Sequence, residues 1–137
     1  MSLNLDPPPK SIVFQEWIRW LVNLYEKRGR IESWHEVGAT GEPAFQGTWA
    51  DAGTNPAFYK DPLGRVHLKG DLDTGTSTTV VFTLPEGYRP SEALYFALHQ
   101  TAAAAGAEAL IGTNGDVTVT YTGAKVRLSG ISFRVAE

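Results

Sequence analysis

Cysteine is absent from this chain of 137 residues. The fold is therefore expected to use neither disulfide bonds nor thiolate metal sites, and enzymes with a thiol nucleophile are excluded. The net charge is also small: the chain contains 12 Lys and Arg residues and 15 Asp and Glu residues, which gives a net charge of −3. The sequence lacks a basic field that would attract nucleic acid or an anionic membrane, so neither is an expected partner.

Long hydrophobic runs are missing as well. The most apolar segment, residues 12–25, is interrupted by polar side chains and is shorter than the ~20 apolar residues that span a bilayer. The first six residues lack the basic region and apolar stretch of a secretory signal. The sequence therefore predicts a protein without membrane insertion that is synthesised and assembled in the cytoplasm.

Catalytic signatures are equally scarce. The chain has no phosphate-binding loop, no dinucleotide-binding glycine motif and no G-x-S-x-G elbow. The three histidines, His35, His67 and His99, show none of the short spacings typical of zinc sites. Asp71 and Asp73 begin a threonine-rich loop that is more typical of a solvated turn, with a calcium site as the alternative. We therefore predict no catalytic residue, no metal site and no cofactor.

One long segment has the features of a helix. Residues 12–28 contain neither glycine nor proline, Ser11 is a suitable N-cap, and Gly29 is a suitable stop. The sequence thus predicts three parts: an extended arm over residues 1–10 that contains three consecutive prolines, a helix over residues 11–29, and a β-domain over residues 30–137.

The predicted helix has a wide apolar stripe. Such a stripe must be covered, because burial of each large apolar side chain contributes about 1.5–3 kcal/mol. Either the helix packs on its own β-domain, or copies of it associate around a short parallel bundle, most simply as a trimer. For the second case we assign the oligomerisation surface to Phe14, Trp17, Ile18, Leu21, Leu24 and Tyr25.

After residue 29 the chain alternates between short β-forming runs and turn residues. This spacing predicts an antiparallel β-sandwich, jelly-roll-like, preceded by one α-helix. The predicted strands are residues 31–37, 44–49, 57–60, 65–72, 78–84, 92–100, 108–111, 117–121, 125–128 and 131–135.

Three local patterns refine this prediction. The sequence Asp-Pro-Leu-Gly at residues 61–64 suits a type I turn, and Asn114-Gly115 suits the centre of a type I′ turn. The continuous apolar run at residues 80–82 is typical of a strand that is buried on both faces. The alanine-rich segment 101–107 is predicted to be a loop between strands.

Aromatic residues near strand ends are the better candidates for binding. Proline and glycine neighbours place four residues close to turns, where aromatic rings stack on sugars or anchor interfaces. The candidate ligand-binding residues are Trp49, Tyr59, Tyr88 and Arg89. The alternative is that such rings fill the core, or that Trp34 and Trp49 close the seam between helix and β-domain.

Three motifs along the chain are informative when they are taken together. The first is the proline-preceded stripe Phe-Gln-Glu-Trp-Ile-Arg-Trp-Leu at residues 14–21. The second is the strand pair Tyr-Lys-Asp-Pro-Leu-Gly-Arg-Val-His-Leu-Lys-Gly at residues 59–70. The third is Phe-x-Leu-Pro-x-Gly-Tyr-Arg-Pro at residues 82–90 followed by the hairpin at residues 111–117. Together these motifs resemble those of bacteriophage tail-fibre and receptor-binding proteins, and within the β-domain the resemblance covers residues 42–135.

This resemblance implies a non-enzymatic virion protein: a homotrimer of β-sandwich heads that attaches to a host glycan or protein, or that decorates the particle. It also implies that the arm, Met1 to Pro9, lies against another virion protein. Two alternatives remain from the residues alone, namely a monomeric carbohydrate-binding module and a small sandwich-fold hydrolase.

Overall fold

The computed structural model describes residues 14–28 and 31–136. The helix α1 spans Phe14–Arg28. Eleven strands follow: β1 His35–Glu36, β2 Ala50–Asp51, β3 Ala57–Lys60, β4 Arg65–Lys69, β5 Asp71–Asp73, β6 Thr79–Thr83, β7 Leu94–Gln100, β8 Ala107–Ile111, β9 Asp116–Thr120, β10 Val126–Arg127 and β11 Ser132–Arg134. The predicted arm, the N-cap at Ser11 and the stop at Gly29 lie outside the described residues.

The strands form two sheets in which all pairs are antiparallel. One sheet has four strands in the order β1-β3-β4-β11, and the other has seven in the order β2-β5-β10-β7-β8-β9-β6. The predicted fold class, an antiparallel sandwich with one N-terminal helix, is confirmed.

The core lies between the two sheets. Phe58 on β3 and Phe82 on β6 are both fully buried, and their rings stack across the interior with centroids 6.1 Å apart. Alternate residues of β4 and β9 point into this core, because side chains on a strand alternate between its two faces. Phe133 also belongs to the core, whereas Phe96 is only partly buried and packs against it.

The chain passes from one sheet to the other at Gly70. The predicted single strand 65–72 is instead two strands, since β4 belongs to the four-stranded sheet and β5 to the seven-stranded sheet. Gly70 adopts a φ of 111°, and a Cβ atom at this position would collide with the backbone of Pro56. Glycine is therefore required at this corner, where the backbone bends and a second chain segment lies close.

Two hairpins share one turn geometry. Gly64 N–H donates to Asp61 C=O at 3.0 Å and Gly64 has a φ of 83°, which confirms the predicted type I turn and adds a left-handed glycine after it. In the second hairpin the corresponding bond runs from Gly115 N–H to Gly112 C=O, so Thr113 and Asn114 occupy the centre. The predicted type I′ turn is wrong, because Gly115 supplies the left-handed residue after a type I turn instead.

The strand predictions at residues 80–82 and 44–49 also need correction. The register of β6 shifts between Val80 and Phe82, so Val81 is the extra residue of a β-bulge. The bulge, and not burial on both faces, accounts for consecutive buried residues there. Residues 44–49 form no strand of their own, although Gln46 N–H donates to Val81 C=O at 2.8 Å beside the bulge. The predicted loop before β8 is confirmed over residues 101–106.

Candidate ligand-binding face

The four-stranded sheet presents aromatic and charged side chains on its outer surface. Val66 and Leu68 of β4 point into the core, so Arg65, His67 and Lys69 point outward. The strand register aligns further residues with them on the same surface. We call the set the aromatic face: Trp34, Tyr59, Arg65, His67, Lys69, Ser132 and Arg134.

Four of these side chains form one continuous stack. The Lys69 ammonium lies 4.5 Å from the centroid of the Trp34 ring, and the Trp34 ring meets Tyr59 edge to face at 4.6 Å. The Tyr59 ring in turn stacks on His67 with centroids 5.0 Å apart and an interplanar angle of 18°. Such aromatic pairs contribute about 0.5–1.5 kcal/mol each beyond their buried area, so the stack holds its rings in place on a rigid sheet.

Asp61 anchors the end of this stack. Its Oδ2 lies 2.9 Å from His67 Nε2, and its Oδ1 accepts hydrogen bonds from Leu63 N–H and Arg65 N–H at 2.9 Å each. Burial alone would raise the pKa of this carboxyl, but the hydrogen bonds from His67 and from the two amides outweigh burial and lower the pKa. Asp61 therefore stays ionised and orients the imidazole of His67.

Tyr88 lies in a different cluster, at the rim of the sandwich. Its hydroxyl donates to Glu32 Oε2 at 2.9 Å and lies 3.2 Å from His35 Nε2, while the Lys60 ammonium lies 4.8 Å from its ring centroid. Burial, reinforced by the hydrogen bond to Glu32, raises the pKa of Tyr88. These contacts engage both the ring and the hydroxyl, so Tyr88 connects the segment before β1 to the head.

His35 sits between two carboxylates in the same cluster. Its Nδ1 lies 2.9 Å from Glu42 Oε1, and its Nε2 lies 3.5 Å from Glu32 Oε1. The hydrogen bond to Glu42 raises the pKa of His35 above its ordinary value of 6.5, against a smaller opposing effect of burial. The cluster is thus sensitive to pH near neutrality.

The other two predicted ligand-binding residues, Trp49 and Arg89, make contacts within the head. Trp49 is 4% exposed, its indole N–H donates to Thr79 Oγ1 at 2.9 Å, and its ring packs on Tyr121 at 5.4 Å. Arg89 is half-buried and its Nε donates to Leu84 C=O at 2.8 Å, next to the turn glycine Gly115. Of the four predicted residues, the structure places only Tyr59 on the aromatic face.

The predicted oligomerisation residues lie along one exposed helix. Phe14, Ile18 and Leu21 are 77%, 45% and 51% exposed, and Trp17 and Leu24 are half-buried. The rings of Trp17 and Trp20 contact each other edge to face at 5.7 Å. None of the described helix residues belongs to the core of the head. The side chain of Tyr25 lies outside the description.

A groove adjoins the aromatic face at the edge of β11. It has a volume of about 330 Å³ and lies between β11 and the start of β7. Ser132 and Arg134 belong both to this groove and to the aromatic face, and the apolar side chains of Leu94 and Phe96 line the groove further in. The face and the groove therefore form one continuous surface.

Metal ligands are not clustered in the part of the chain that the structure describes. Asp73 Oδ1 accepts a hydrogen bond from Thr74 N–H at 2.7 Å, and Asp71 forms an ion pair with Arg127 at 3.8 Å. Both aspartates of the alternative calcium site thus have partners within the protein. Within residues 14–28 and 31–136, no helix has the length and apolarity to cross a membrane.

Comparison with solved structures identifies the architecture. The receptor-binding protein (gp15) of Listeria phage PSA superposes with a TM-score of 0.70 at 16% sequence identity, over 90% of this chain and 76% of the phage protein. The two proteins share a fold. That likeness confirms the fold implied by the sequence motifs. No family model matches the sequence, and no curated protein matches it.

Sequence reasoning missed most of the aromatic face. The sequence suggests His67 only as a possible metal ligand and Trp34 only as a residue of the seam between helix and β-domain. The available signal was the alternation of β4, where Arg65, His67 and Lys69 share a face opposite Val66 and Leu68. The sequence gives no comparable sign that Ser132 and Arg134 of β11 belong to the aromatic face. Their place there depends on the pairing of β11 with β4, and the two strands are more than sixty residues apart in the chain.

Proposed function

We propose that this chain is a non-enzymatic structural protein of a bacteriophage virion, of the receptor-binding type, which attaches the particle to a host surface or decorates it. The observation that carries the proposal is the sandwich fold shared with a phage receptor-binding protein over 90% of the chain. The aromatic face supports it, because rigid aromatic side chains next to polar groups are typical of saccharide and protein recognition.

The proposed assembly is a homotrimer through α1. Phe14, Ile18 and Leu21 of this helix are each about half exposed or more. Exposure of such large apolar side chains to water is unfavourable, and burial of each contributes about 1.5–3 kcal/mol. Two heptads are short for an independent coiled coil, so the heads must contribute to the contact. The arm over residues 1–10 is proposed to lie against another virion protein, on the evidence of the sequence alone.

The host ligand is proposed to bind on the aromatic face, with Tyr59 and Trp34 as its anchors. Both rings lie on the outer surface of a sheet, and Trp34 is 40% exposed. Tyr88 and Arg89 are proposed to act indirectly, by holding the rim of the head in shape through Glu32 and through the carbonyl of Leu84.

Two measurements on the purified protein test this function. Light scattering should give a mass near three times 14.9 kDa. Fluorescently labelled protein should bind cells of a susceptible strain in a bacterial panel, and Tyr59→Ala and Trp34→Ala should each abolish most of that binding. Tyr95→Ala is the matched control, since Tyr95 is 69% exposed on the outer face of the other sheet.

The outcomes separate the proposals. Loss of binding by Tyr95→Ala, with Tyr59→Ala unaffected, would place the ligand on the other sheet. A monomeric mass together with binding to soluble polysaccharide would favour the carbohydrate-binding module. The aromatic face supports this second candidate, because aromatic side chains on a protein surface stack on sugar rings.

A further inference from the structure

One pair of neighbouring residues in the β8–β9 hairpin is chemically labile. Of the four asparagines in the chain, only Asn114 is followed by glycine. In such a pair the backbone nitrogen of the glycine can attack the side-chain carbonyl carbon of the asparagine, because glycine has no side chain to hinder ring closure. Asn114 is exposed in the turn of the hairpin, whereas Gly115 is buried.

The fold has structural uses for both residues of this pair. Gly115 has a φ of 92°, and a Cβ atom there would collide with the carbonyl oxygen of Leu84 and with the side chain of Arg89. Any other residue would therefore be strained at this position. Asn114 Oδ1 accepts a hydrogen bond from Asp116 N–H at 3.1 Å, so the asparagine side chain helps to close the turn. The hairpin thus keeps a labile pair for structural reasons.

The closed hairpin opposes the reaction at both reacting groups. The nucleophile, Gly115 N–H, donates to Gly112 C=O at 3.0 Å and is buried away from solvent base. The electrophile is held at two points, because Asn114 Oδ1 accepts from Asp116 N–H and Asn114 Nδ2 donates to Asp116 Oδ2 at 3.0 Å. The Asn114 side chain must leave both contacts before its Cγ can reach the Gly115 nitrogen. The reaction therefore requires local opening of the hairpin, which costs less than global unfolding.

We propose that Asn114 is a site of spontaneous deamidation that is controlled by the opening of the β8–β9 hairpin. In the open hairpin the Gly115 nitrogen forms a bond to Asn114 Cγ, the bond between Cγ and Nδ2 breaks, and ammonia leaves with the proton that the Gly115 nitrogen loses. Water then opens the cyclic imide at either of its carbonyls, which gives aspartate or isoaspartate. This modification goes beyond the proposed function and does not depend on what the head binds.

Neither product restores the closed hairpin. Aspartate at residue 114 has no donor for Asp116 Oδ2 and places a second carboxylate at hydrogen-bond distance from it, so the two charges repel each other. Isoaspartate adds one carbon atom to the backbone before Gly115. Gly115 C=O accepts from Leu84 N–H at 2.8 Å, and Leu84 C=O accepts from Arg89 Nε at 2.8 Å, so a shift of Gly115 is passed on beyond the hairpin. Deamidation therefore weakens the head permanently.

The first test compares the rate of deamidation in the folded and in the unfolded full chain. Both samples are kept at the same temperature and the same mildly alkaline pH, one in buffer and one in urea above the unfolding midpoint, and peptide mass spectrometry follows residue 114. The folded chain should react more slowly by about tenfold or more, because only the open fraction of the hairpin reacts. Equal rates in the two samples, or no reaction in urea, would overturn the inference.

A pair of variants tests the contact between Asn114 and Asp116. Asp116→Ala removes the acceptor of Asn114 Nδ2 and should raise the rate in the folded chain several-fold. Thr83→Val is the matched control, because Thr83 Oγ1 donates to the other carboxylate oxygen of Asp116 at 2.7 Å and does not touch Asn114. Both variants are compared below their melting midpoints. An equal rise in both would assign the protection to the overall stability of the head and would overturn the role of the hairpin.

The effect of the product is tested on stability. Asn114→Asp should lower the urea midpoint of the head, whereas Asn114→Ser should keep most of it, because a serine hydroxyl can accept the bond from Asp116 N–H without adding a charge. During long storage the wild type should lose stability while Asn114→Ser does not, since serine cannot form the imide. A midpoint of Asn114→Asp equal to that of the wild type, together with no loss in stored wild type, contradicts the claim that deamidation weakens the head.

Discussion

His35 couples the charge state of a single imidazole to the stability of the head. Glu42 Oε1 lies 2.9 Å from His35 Nδ1, and Glu32 Oε1 lies 3.5 Å from His35 Nε2, so the contact with Glu32 ties the segment before β1 to this histidine. Because the pKa of His35 is raised in the folded state, protonation is favoured by folding. The stabilisation is fully present below the ordinary pKa of 6.5 and is lost as the pH rises through the higher folded value.

We therefore predict that the free energy of unfolding decreases as the pH rises above 6.5. The free energy of unfolding, measured by urea denaturation at a series of pH values, should fall with rising pH in the wild type, and the contribution of His35 to that slope should disappear in His35→Gln. His99→Gln removes an exposed imidazole elsewhere on the head and should keep the contribution. An unchanged slope in His35→Gln would show that the Glu42 contact does not favour the charged imidazole.

Gly75 shows how one missing side chain lets two aromatic rings pack. A Cβ atom at residue 75 would overlap the indole ring of Trp49, and the Tyr121 hydroxyl donates to Gly75 C=O at 2.5 Å. Gly75→Ala should therefore destabilise the head by about 1–3 kcal/mol, the cost of overpacking.

Gly106→Ala is the control for this substitution. Residue 106 has open space around its Cβ position and no left-handed φ, so alanine there should be neutral or stabilising by up to about 1 kcal/mol. Equal midpoints in urea for both alanine variants would mean that Trp49 can shift at little cost.

In the part of α1 that the structure describes, four large apolar side chains are exposed, namely Phe14, Ile18, Leu21 and Val22. Leu21→Asp should dissociate the proposed trimer, because a carboxylate buried without a partner costs several kcal/mol. Asn23→Asp places the same charge two residues away, about 200° around the helix, at an exposed polar position and should leave the mass unchanged. Analytical ultracentrifugation measures both, and a trimeric Leu21→Asp variant would show that this residue lies outside the interface.

At the scale of the whole molecule, the head is expected to fold without the helix. Its core contains buried side chains from both sheets and none from the described part of α1. A chain that begins at residue 31 should therefore melt cooperatively within a few degrees of the full chain's head transition. A broad or absent transition would mean that the helix completes the core, as in the alternative in which it packs on its own β-domain.

Features that depend on a few neighbouring residues are predictable from the amino-acid sequence alone. The glycine- and proline-free stretch marked the helix, the Asp-Pro-Leu-Gly run marked its type I turn, and the alternation of β4 and β9 marked their buried faces. Backbone propensity and side-chain periodicity act over this range, so they can be recognised before any tertiary contact is known.

The way in which these elements meet is visible only in the folded protein. The tertiary structure divided residues 65–73 between two sheets, made Val81 a bulge, buried Trp49 and aligned Tyr59, His67 and Ser132 in one row. Strand partners and register are set by packing between segments distant in the chain, and a strand's own sequence does not name its neighbour. The aromatic face exists only where β3, β4 and β11 meet, and for that reason most of its residues could not be assigned before the fold was known.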